Sequence, residues 1–133
     1  MRGFWHSRAQ RQPRDRQGAE RRGRFAERLA MLALTLKGYR LLKLRFKSGL
    51  GEIDLIMRKG EVTAFIEVKT RISRDLAIEA VTPRQARRIA AASRIWMARD
   101  EAAAKGICRF DIVTVSPYQW PRHIPNAFSA DEN

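Results

Sequence analysis

The sequence predicts an α/β fold in which a mixed sheet of about four strands is flanked by helices. Residues 24–37 have the spacing of an amphipathic helix, and three strand-like segments follow between residues 39 and 70. A second helix is indicated over residues 82–105, and residues 107–115 have the character of a final strand. The order helix, three strands, helix, strand is typical of a strand meander followed by a helical crossover back to the same sheet.

The first helix is predicted from apolar residues that recur every three or four positions. Phe25, Leu29, Leu32 and Leu36 would form one face, widened by three alanines, and we expect this face to pack on the sheet. Gly38 suits the position just past the helix end, where a left-handed conformation favours glycine.

The three strands are predicted from alternation and from β-branched residues. Leucines and a phenylalanine alternate with basic residues over residues 39–46, which is typical of a half-exposed strand. The second and third strands are expected over residues 52–58 and 61–70. Lys59-Gly60 between them favours a tight hairpin.

The second helix has a clear start signal. Residues 71–81 are expected to form a loop, after which Thr82 is suited to the N-cap and Pro83 to the first helical position. Gln85 occupies the capping-box position. One continuous helix is expected from there to about Lys105, where a glycine follows.

Composition divides the chain into three parts. Residues 1–23 are rich in arginine and poor in apolar groups, so we expect a disordered basic arm. Residues 24–128 form the folded domain, in which the part after the last strand is expected to be irregular and to pack through Ile124 and Phe128. Residues 129–133 are expected to be a flexible tail. The arm could bind phosphates or remain a solvated tail without a partner, and composition favours neither.

Charge and cysteine content narrow the class of protein. The 133 residues include 27 basic and 14 acidic side chains, giving a net charge of +13. Such an excess predicts a polyanionic partner, most often nucleic acid. Cys108, the single cysteine, excludes an internal disulfide and is expected to be buried. No apolar run approaches the roughly 20 residues of a membrane span, and no secretory signal is present, so we expect a cytoplasmic protein without a membrane partner.

Acidic side chains interrupt the second and third strands. Asp54 lies between two apolar residues, and Glu67 and Lys69 point to one face of the next strand because side chains two apart share a face. If the strands pair, Asp54 reaches that face as well. Two carboxylates beside a core are costly unless a divalent metal compensates for them. The alternative is a Glu67–Lys69 ion pair on a solvent face, a common arrangement that contributes less than about 1 kcal/mol.

An acid on one strand followed by Glu-x-Lys on the next resembles the signature of the PD-(D/E)XK nucleases, although Ile53 stands where that signature has proline. Over residues 20–128 the sequence resembles more closely the YraN-like proteins, and it is also similar to the archaeal Holliday-junction resolvases. The segments that carry the YraN-like pattern are Ala26-Glu27-Arg28-Leu29-Ala30, Gly38-Tyr39, Gly51-Glu52-Ile53-Asp54-Leu55-Ile56, Ile66-Glu67-Val68-Lys69-Thr70-Arg71, Ala80-Val81-Thr82, Arg109-Phe110-Asp111 and Asn126-Ala127-Phe128.

The resemblance implies a restriction-endonuclease-like core and a site that uses Mg²⁺ or Mn²⁺. Asp54, Glu67 and the carbonyl of Val68 would be the metal ligands, and Lys69 would orient or deprotonate the attacking water. Glu27 would supply a third acid from the first helix, as in the resolvases, although a first-turn acid also suits the helix dipole. Gln85 is a further catalytic candidate, and its capping-box position explains it equally well.

The implied substrate is DNA with branched or irregular structure, recognised by shape because phosphate contacts carry no sequence information. A resolvase cuts two strands, so the resemblance also suggests a homodimer. The alternatives are a non-catalytic nucleic-acid-binding module that keeps the fold and an interaction protein that attaches to a DNA or RNA machine through its basic arm. Glu52 is expected to pair with a nearby basic residue and Asp111 to be structural. The arginines expected to contact phosphates are Arg21, Arg22, Arg24, Arg71, Arg84 and Arg88.

Overall fold

A computed structural model of the protein describes residues 13–70 and 73–129. It confirms the α/β class and the mixed sheet, with five strands in place of about four. The elements in chain order are α1 (Pro13–Leu36), β1 (Arg40–Lys47), β2 (Glu52–Lys59), β3 (Val62–Thr70), α2 (Arg74–Ala80), α3 (Pro83–Arg99), α4 (Glu101–Lys105), β4 (Ile107–Val115) and β5 (Arg122–Ile124).

The strands lie side by side in the order in which they occur in the chain. β1, β2 and β3 form an antiparallel meander, with a register shift between Leu41 and Lys43 in β1. β3 pairs with β4 in parallel, and β4 pairs with the short β5 in antiparallel. Because a parallel pair needs a crossover connection, the three helices α2, α3 and α4 join β3 to β4.

One face of the sheet is covered by α1, mainly through the small residues of the predicted packing face. Ala26, Ala30 and Leu34 are buried against the sheet. Phe25 and Leu36 are 64% and 69% exposed, so the prediction was wrong for these two large residues, whereas the alanines of the predicted face are buried. Small side chains let the helix backbone lie close to the sheet, and this close packing turns the larger side chains of the stripe outward.

α1 also begins earlier than expected. It starts at Pro13, so residues 13–23 are helical and the predicted disordered arm is corrected over that range. Arg, Gln, Glu and Ala are favourable helix formers, and extending an existing helix avoids the cost of a new nucleus. Residues 1–12, the rest of the predicted arm, lie outside the described residues. The helix ends as predicted, with Gly38 at φ +98°.

The opposite face of the sheet is covered by α3, which begins as predicted. The hydroxyl of Thr82 accepts the Gln85 N–H at 3.1 Å, and Pro83 is the first helical residue. Ile89 and Ala92 pack against the sheet in one cluster with apolar side chains of β1, β2 and β3.

Two details of the crossover differ from the predictions. Residues 74–80, expected to be a loop, form α2, which Ser73 caps and which buries Ala77. The long helix ends at Arg99, where Asp100 ends α3 and caps α4 with its side chain. Asp100 also binds Arg58 of β2 at 2.5 Å, and this contact fixes the break between the two helices.

The chain after β4 is more regular than expected, because it contains the edge strand β5. Ile124 packs with Ala77 and Ile112, and Phe128 lies against Phe110 with ring centroids 5.5 Å apart, as the sequence predicted. None of the helices in residues 13–70 and 73–129 has the length and apolar content needed to cross a bilayer.

Candidate active site

The site is formed where β2 and β3 separate. Their backbone pairing runs from Lys59 opposite Val62 to Leu55 opposite Ile66. At the next position, the carboxylate of Asp54 accepts the backbone N–H of Val68 at 2.8 Å. A side chain thus occupies the opening between the two strands and satisfies a backbone donor there.

Asp54 and Glu67 form a hydrogen-bonded carboxylate pair. Glu67 is 8% exposed. Burial, and then the negative charge of Glu67, raise the pKa of Asp54 from its ordinary 3.8 to about 8. Two adjacent carboxylates with little access to water repel each other when both are ionised, so the protonated form of Asp54 is favoured near neutral pH.

Lys69 and Gln85 complete the cluster around Glu67. The Nζ of Lys69 lies 3.0 Å from Oε2 of Glu67, and the side-chain amide of Gln85 donates to the same oxygen. The amide oxygen of Gln85 accepts from Lys69 Nζ at 3.3 Å. Gln85 thus has two roles, because its backbone N–H is capped by Thr82 while its side chain is used in the cluster.

Asp54, Glu67 and Gln85 border a small polar cavity of about 210 Å³, whose lining also includes Glu52 and Arg88. Glu52 lies 4.0 Å from Lys47 with both side chains exposed, in line with its expected role as a partner of a basic residue. We refer to Asp54, Glu67, Lys69 and Gln85 as the carboxylate cluster.

Glu27 lies next to the carboxylate cluster but is held by another residue. The Nε of Arg45 is 2.6 Å from Oε1 of Glu27. Burial and the nearby charge of Asp54 raise the pKa of Glu27, while the hydrogen bond from Arg45 opposes this shift. Arg45 has φ +55° within β1, a left-handed conformation that is uncommon for a non-glycine residue and is often found at functional sites.

Comparison with known proteins assigns the chain to a family. The profile of the "Uncharacterised protein family UPF0102" matches residues 26–115. The chain belongs to the UPF0102 family. A UPF0102 protein of Rhizobium meliloti is 48% identical over 110 residues, which cover 83% of this chain and 90% of the relative. A relative in Methylorubrum extorquens is 48% identical over 116 residues, which cover 87% of this chain and 91% of the relative. A relative in Brucella canis is 49% identical over 109 residues, which cover 82% of this chain and 86% of the relative.

The match confirms the YraN-like resemblance at the level of the UPF0102 family, and the placement among the PD-(D/E)XK nucleases stays a prediction. Most of the matched segment is the described fold itself, from Ala26 of α1 to the end of β4. All four residues of the carboxylate cluster and Glu27 lie inside it.

The donor set of this UPF0102 protein suits a hard cation. Carboxylate oxygens are preferred by Mg²⁺, which is often bound by one or two carboxylates while it keeps several waters. Among the described residues, no three His, Cys, Asp or Glu side chains are grouped closely enough to hold a metal ion. Asp54 and Glu67 would therefore need help from a backbone oxygen, water or substrate phosphate. The carbonyl of Val68 stays a predicted ligand.

The arginines predicted to bind phosphates lie on both sides of the sheet. Arg84 and Arg88 are exposed on α3, where Arg88 borders the polar cavity. Arg71 lies outside the described residues. The remaining three are exposed on α1: Arg21, Arg22 and Arg24.

Asp111 has a structural role, as expected. It is fully buried and binds Arg109, His123 and the backbone N–H of Asn126. Burial alone would raise the pKa of Asp111, but the hydrogen bonds from His123 and Arg109 lower it. This network ties the chain after β4 to the sheet.

Sequence reasoning missed Arg45 because it occupies an ordinary polar position in an alternating strand. Nothing in the residue pattern signals its left-handed conformation or its contact with Glu27, which precedes it by 18 residues. Gln85 could be predicted as a site residue, because the sequence placed it at the start of the second helix and named it a catalytic candidate.

Proposed function

We propose that this UPF0102 protein is a metal-dependent endonuclease of the PD-(D/E)XK type that hydrolyses phosphodiesters in structured or branched DNA. The observation that supports this best is the carboxylate cluster, in which the half-buried Asp54 lies against the buried Glu67 and near Lys69, and these surroundings favour a proton on Asp54. A cation is the natural replacement for that proton, since it relieves the repulsion between Asp54 and Glu67.

Each residue of the carboxylate cluster would have a separate role in hydrolysis. Asp54 and Glu67 would hold Mg²⁺ or Mn²⁺, which supplies charge stabilisation and an activated water when bound. Lys69 places a positive charge next to Glu67, where it can orient the water and stabilise the added charge on the phosphorane oxygens. Gln85 fixes the positions of both Glu67 and Lys69. The water oxygen bonds to phosphorus and loses a proton to solvent, the bond from phosphorus to one sugar oxygen breaks, and that oxygen takes up a proton from solvent.

Charge supports a nucleic-acid substrate in the cytoplasm. The net charge is +13, and exposed arginines lie on α1 and on α3, on either side of the sheet that carries the cluster. Such contacts bind the phosphate backbone without reading bases, which suits recognition of a branch by shape. The homodimer that such a substrate suggests stays part of the proposal.

The test is metal-dependent cleavage of linear, flapped and four-way DNA by the parent and two variants. Glu67→Gln should abolish cleavage and leave binding intact, because an amide is a poor ligand for a hard cation. Lys69→Ala should also stop cleavage, with slightly weaker binding. Glu101→Gln and Lys105→Ala are matched controls, since they change an exposed Glu–Lys pair on α4 in the same way.

Equal cleavage by the Glu67 and Lys69 variants and the parent would show that the activity lies elsewhere or comes from a contaminant. A parent that cuts none of these substrates with Mg²⁺ or Mn²⁺ would favour the second candidate, a nucleic-acid-binding module without catalysis. The observation in favour of that module is that no three potential side-chain ligands are grouped among the described residues.

A further inference from the structure

A second and larger cavity lies on the α1 face of the sheet, between that helix and the chain that follows β4. Its volume is about 730 Å³, within the range of small-molecule sites. Phe25 and Leu29 of α1 border one side, and Tyr118 and Trp120 border the other. We refer to it as the aromatic cavity.

The walls of the aromatic cavity leave large apolar side chains in water. Phe25 is 64% exposed, Trp120 is 59% exposed and Tyr118 is fully exposed. Phe25 and Leu29 belong to the helical stripe that the sequence predicted to face the core. The core does not use that stripe fully, since Ala26 and Ala30 make the buried contacts. Three rings around one opening are suited to a flat, unsaturated ligand, because ring faces stack.

The aromatic cavity adjoins the carboxylate cluster along the chain. Thr70 borders the cavity and directly follows Lys69 of the cluster on β3. On α1, Phe25 and Leu29 flank Glu27, whose pKa is raised by burial and by the nearby charge of Asp54. Because neighbouring residues of a strand face opposite sides of the sheet, a nucleic-acid strand would reach both sites by passing the end of β3 at Thr70.

Charge indicates which flat ligand would bind. Arg22 borders the aromatic cavity, and Arg21 is exposed beside it on α1. Guanidinium groups next to aromatic rings are the combination that binds single-stranded nucleic acid, with phosphates on arginines and bases on ring faces.

We propose that the aromatic cavity binds an unpaired base of the nucleic-acid substrate. The inference rests on the proposed function for its choice of substrate. It adds a reason why branched DNA is preferred, since only unpaired nucleotides at a flap or junction have exposed base faces. Trp120 and Phe25 stack on the base, and Arg22 contacts the adjoining phosphate.

The experiment measures binding in EDTA, so that no cleavage is required. The probe is a hairpin duplex with a short single-stranded tail that carries 2-aminopurine, compared with the same hairpin without a tail. Trp120→Ala and Phe25→Ala should weaken binding of the tailed probe by about 5- to 150-fold, the measured range for loss of one base stack. Both variants should bind the blunt hairpin like the parent. Ile107→Ala, an exposed apolar residue at the start of β4, is the control.

Two further readouts separate stacking from charge and from general damage. Trp120→Ala should leave the slope of log K against log salt unchanged, because no charge is lost. Arg22→Gln should reduce that slope by about 0.7, the value for one phosphate of a single strand. Quenching of 2-aminopurine emission by the parent should be lost in Trp120→Ala.

The proposal is overturned if Trp120→Ala and Phe25→Ala bind the tailed probe as tightly as the parent, or lose affinity equally for both probes. It is also overturned if the variants change the oligomeric state while affinity stays constant, since a second copy of the chain would then fill the cavity. If deletion of residues 1–12 from the parent leaves the quenching unchanged, the base site is supported. If quenching appears only after this deletion, residues 1–12 would be the occupant of the cavity. If the parent never cuts DNA but these variants still lose tail binding, the proposed function fails and the base site stands.

Discussion

Replacing Asp54 by asparagine should remove a pH dependence of folding stability. Burial and the neighbouring Glu67 raise the pKa of Asp54 from 3.8 to about 8. Between these two values the folded chain keeps a proton that the unfolded chain has lost. The contribution of Asp54 to the free energy of unfolding is therefore greatest below pH 3.8 and falls as the pH rises towards the pKa of the folded state.

The magnitude follows from the size of the shift. Within this window, each increase of one pH unit lowers the free energy of unfolding by up to about 1.4 kcal/mol. Between pH 6 and pH 8 the loss is about 2 kcal/mol, because the slope flattens as the folded pKa is approached. Asp54→Asn cannot ionise and keeps an oxygen for the Val68 N–H. Its stability relative to the parent should therefore rise by about 2 kcal/mol over the same interval.

The assay is urea unfolding of both proteins at pH 6, 7 and 8, read as the free energy extrapolated to water. Glu52→Gln is the matched control, since it removes an exposed carboxylate at the same cavity and should follow the parent. A constant difference between Asp54→Asn and the parent would refute the raised pKa of Asp54.

A cation arm extends the same experiment. Metal binding displaces protons from its ligands and stabilises the state that binds it. Mg²⁺ should therefore raise the stability of the parent more at pH 8 than at pH 6, and it should have little effect on Asp54→Asn.

Three further predictions concern the surroundings of the cluster. Arg88→Gln should reduce the salt slope of duplex DNA binding by about 0.9, since one phosphate contact is lost. Arg45→Ala should lower the free energy of unfolding in urea by about 1–3 kcal/mol, because the half-buried Glu27 loses its partner. Gly51→Ala should lower the urea midpoint, since a Cβ there would lie 2.2 Å from the carbonyl oxygen of Arg88. By contrast, a Cβ at Gly23 meets nothing within 4 Å, so Gly23→Ala should stabilise the helix by about 0.5–1 kcal/mol.

Each of these predictions has a control or a contrary outcome. Lys105→Gln should keep the parent's salt slope, and an equally unchanged slope in Arg88→Gln would remove that arginine from the interface. Lys47→Ala breaks an exposed ion pair and should cost less than about 1 kcal/mol. If Arg45→Ala lowered the free energy of unfolding only as little as Lys47→Ala, Glu27 would not need Arg45 as a partner. A Gly51 variant with the parent's midpoint would show that the turn between β1 and β2 does not pack closely against α3.

The strand pattern was sufficient to predict the centre of the candidate site. A two-residue period places Glu67 and Lys69 on one face, and antiparallel pairing brings Asp54 opposite Glu67. These rules depend on local geometry alone, and for that reason the convergence of the three residues could be predicted. The helix start at Thr82 likewise located Gln85 without any knowledge of packing.

Features that depend on packing between distant segments could not be predicted in this way. Periodicity favours the larger residues Phe25 and Leu36 as the packing face of α1, whereas the sheet selects Ala26 and Ala30 for their small size. The strand β5 has only three residues, and its existence depends on pairing with β4.

The two outer strands of the sheet determine how copies of this protein can meet. β5 offers three residues to a neighbouring strand, and β1 is interrupted by the register shift after Leu41 and carries exposed Lys43 and Lys47. Short, irregular and positively charged edges resist the addition of further strands. The protein should therefore withstand concentration without forming extended sheets, and a homodimer would have to be built from helix surfaces.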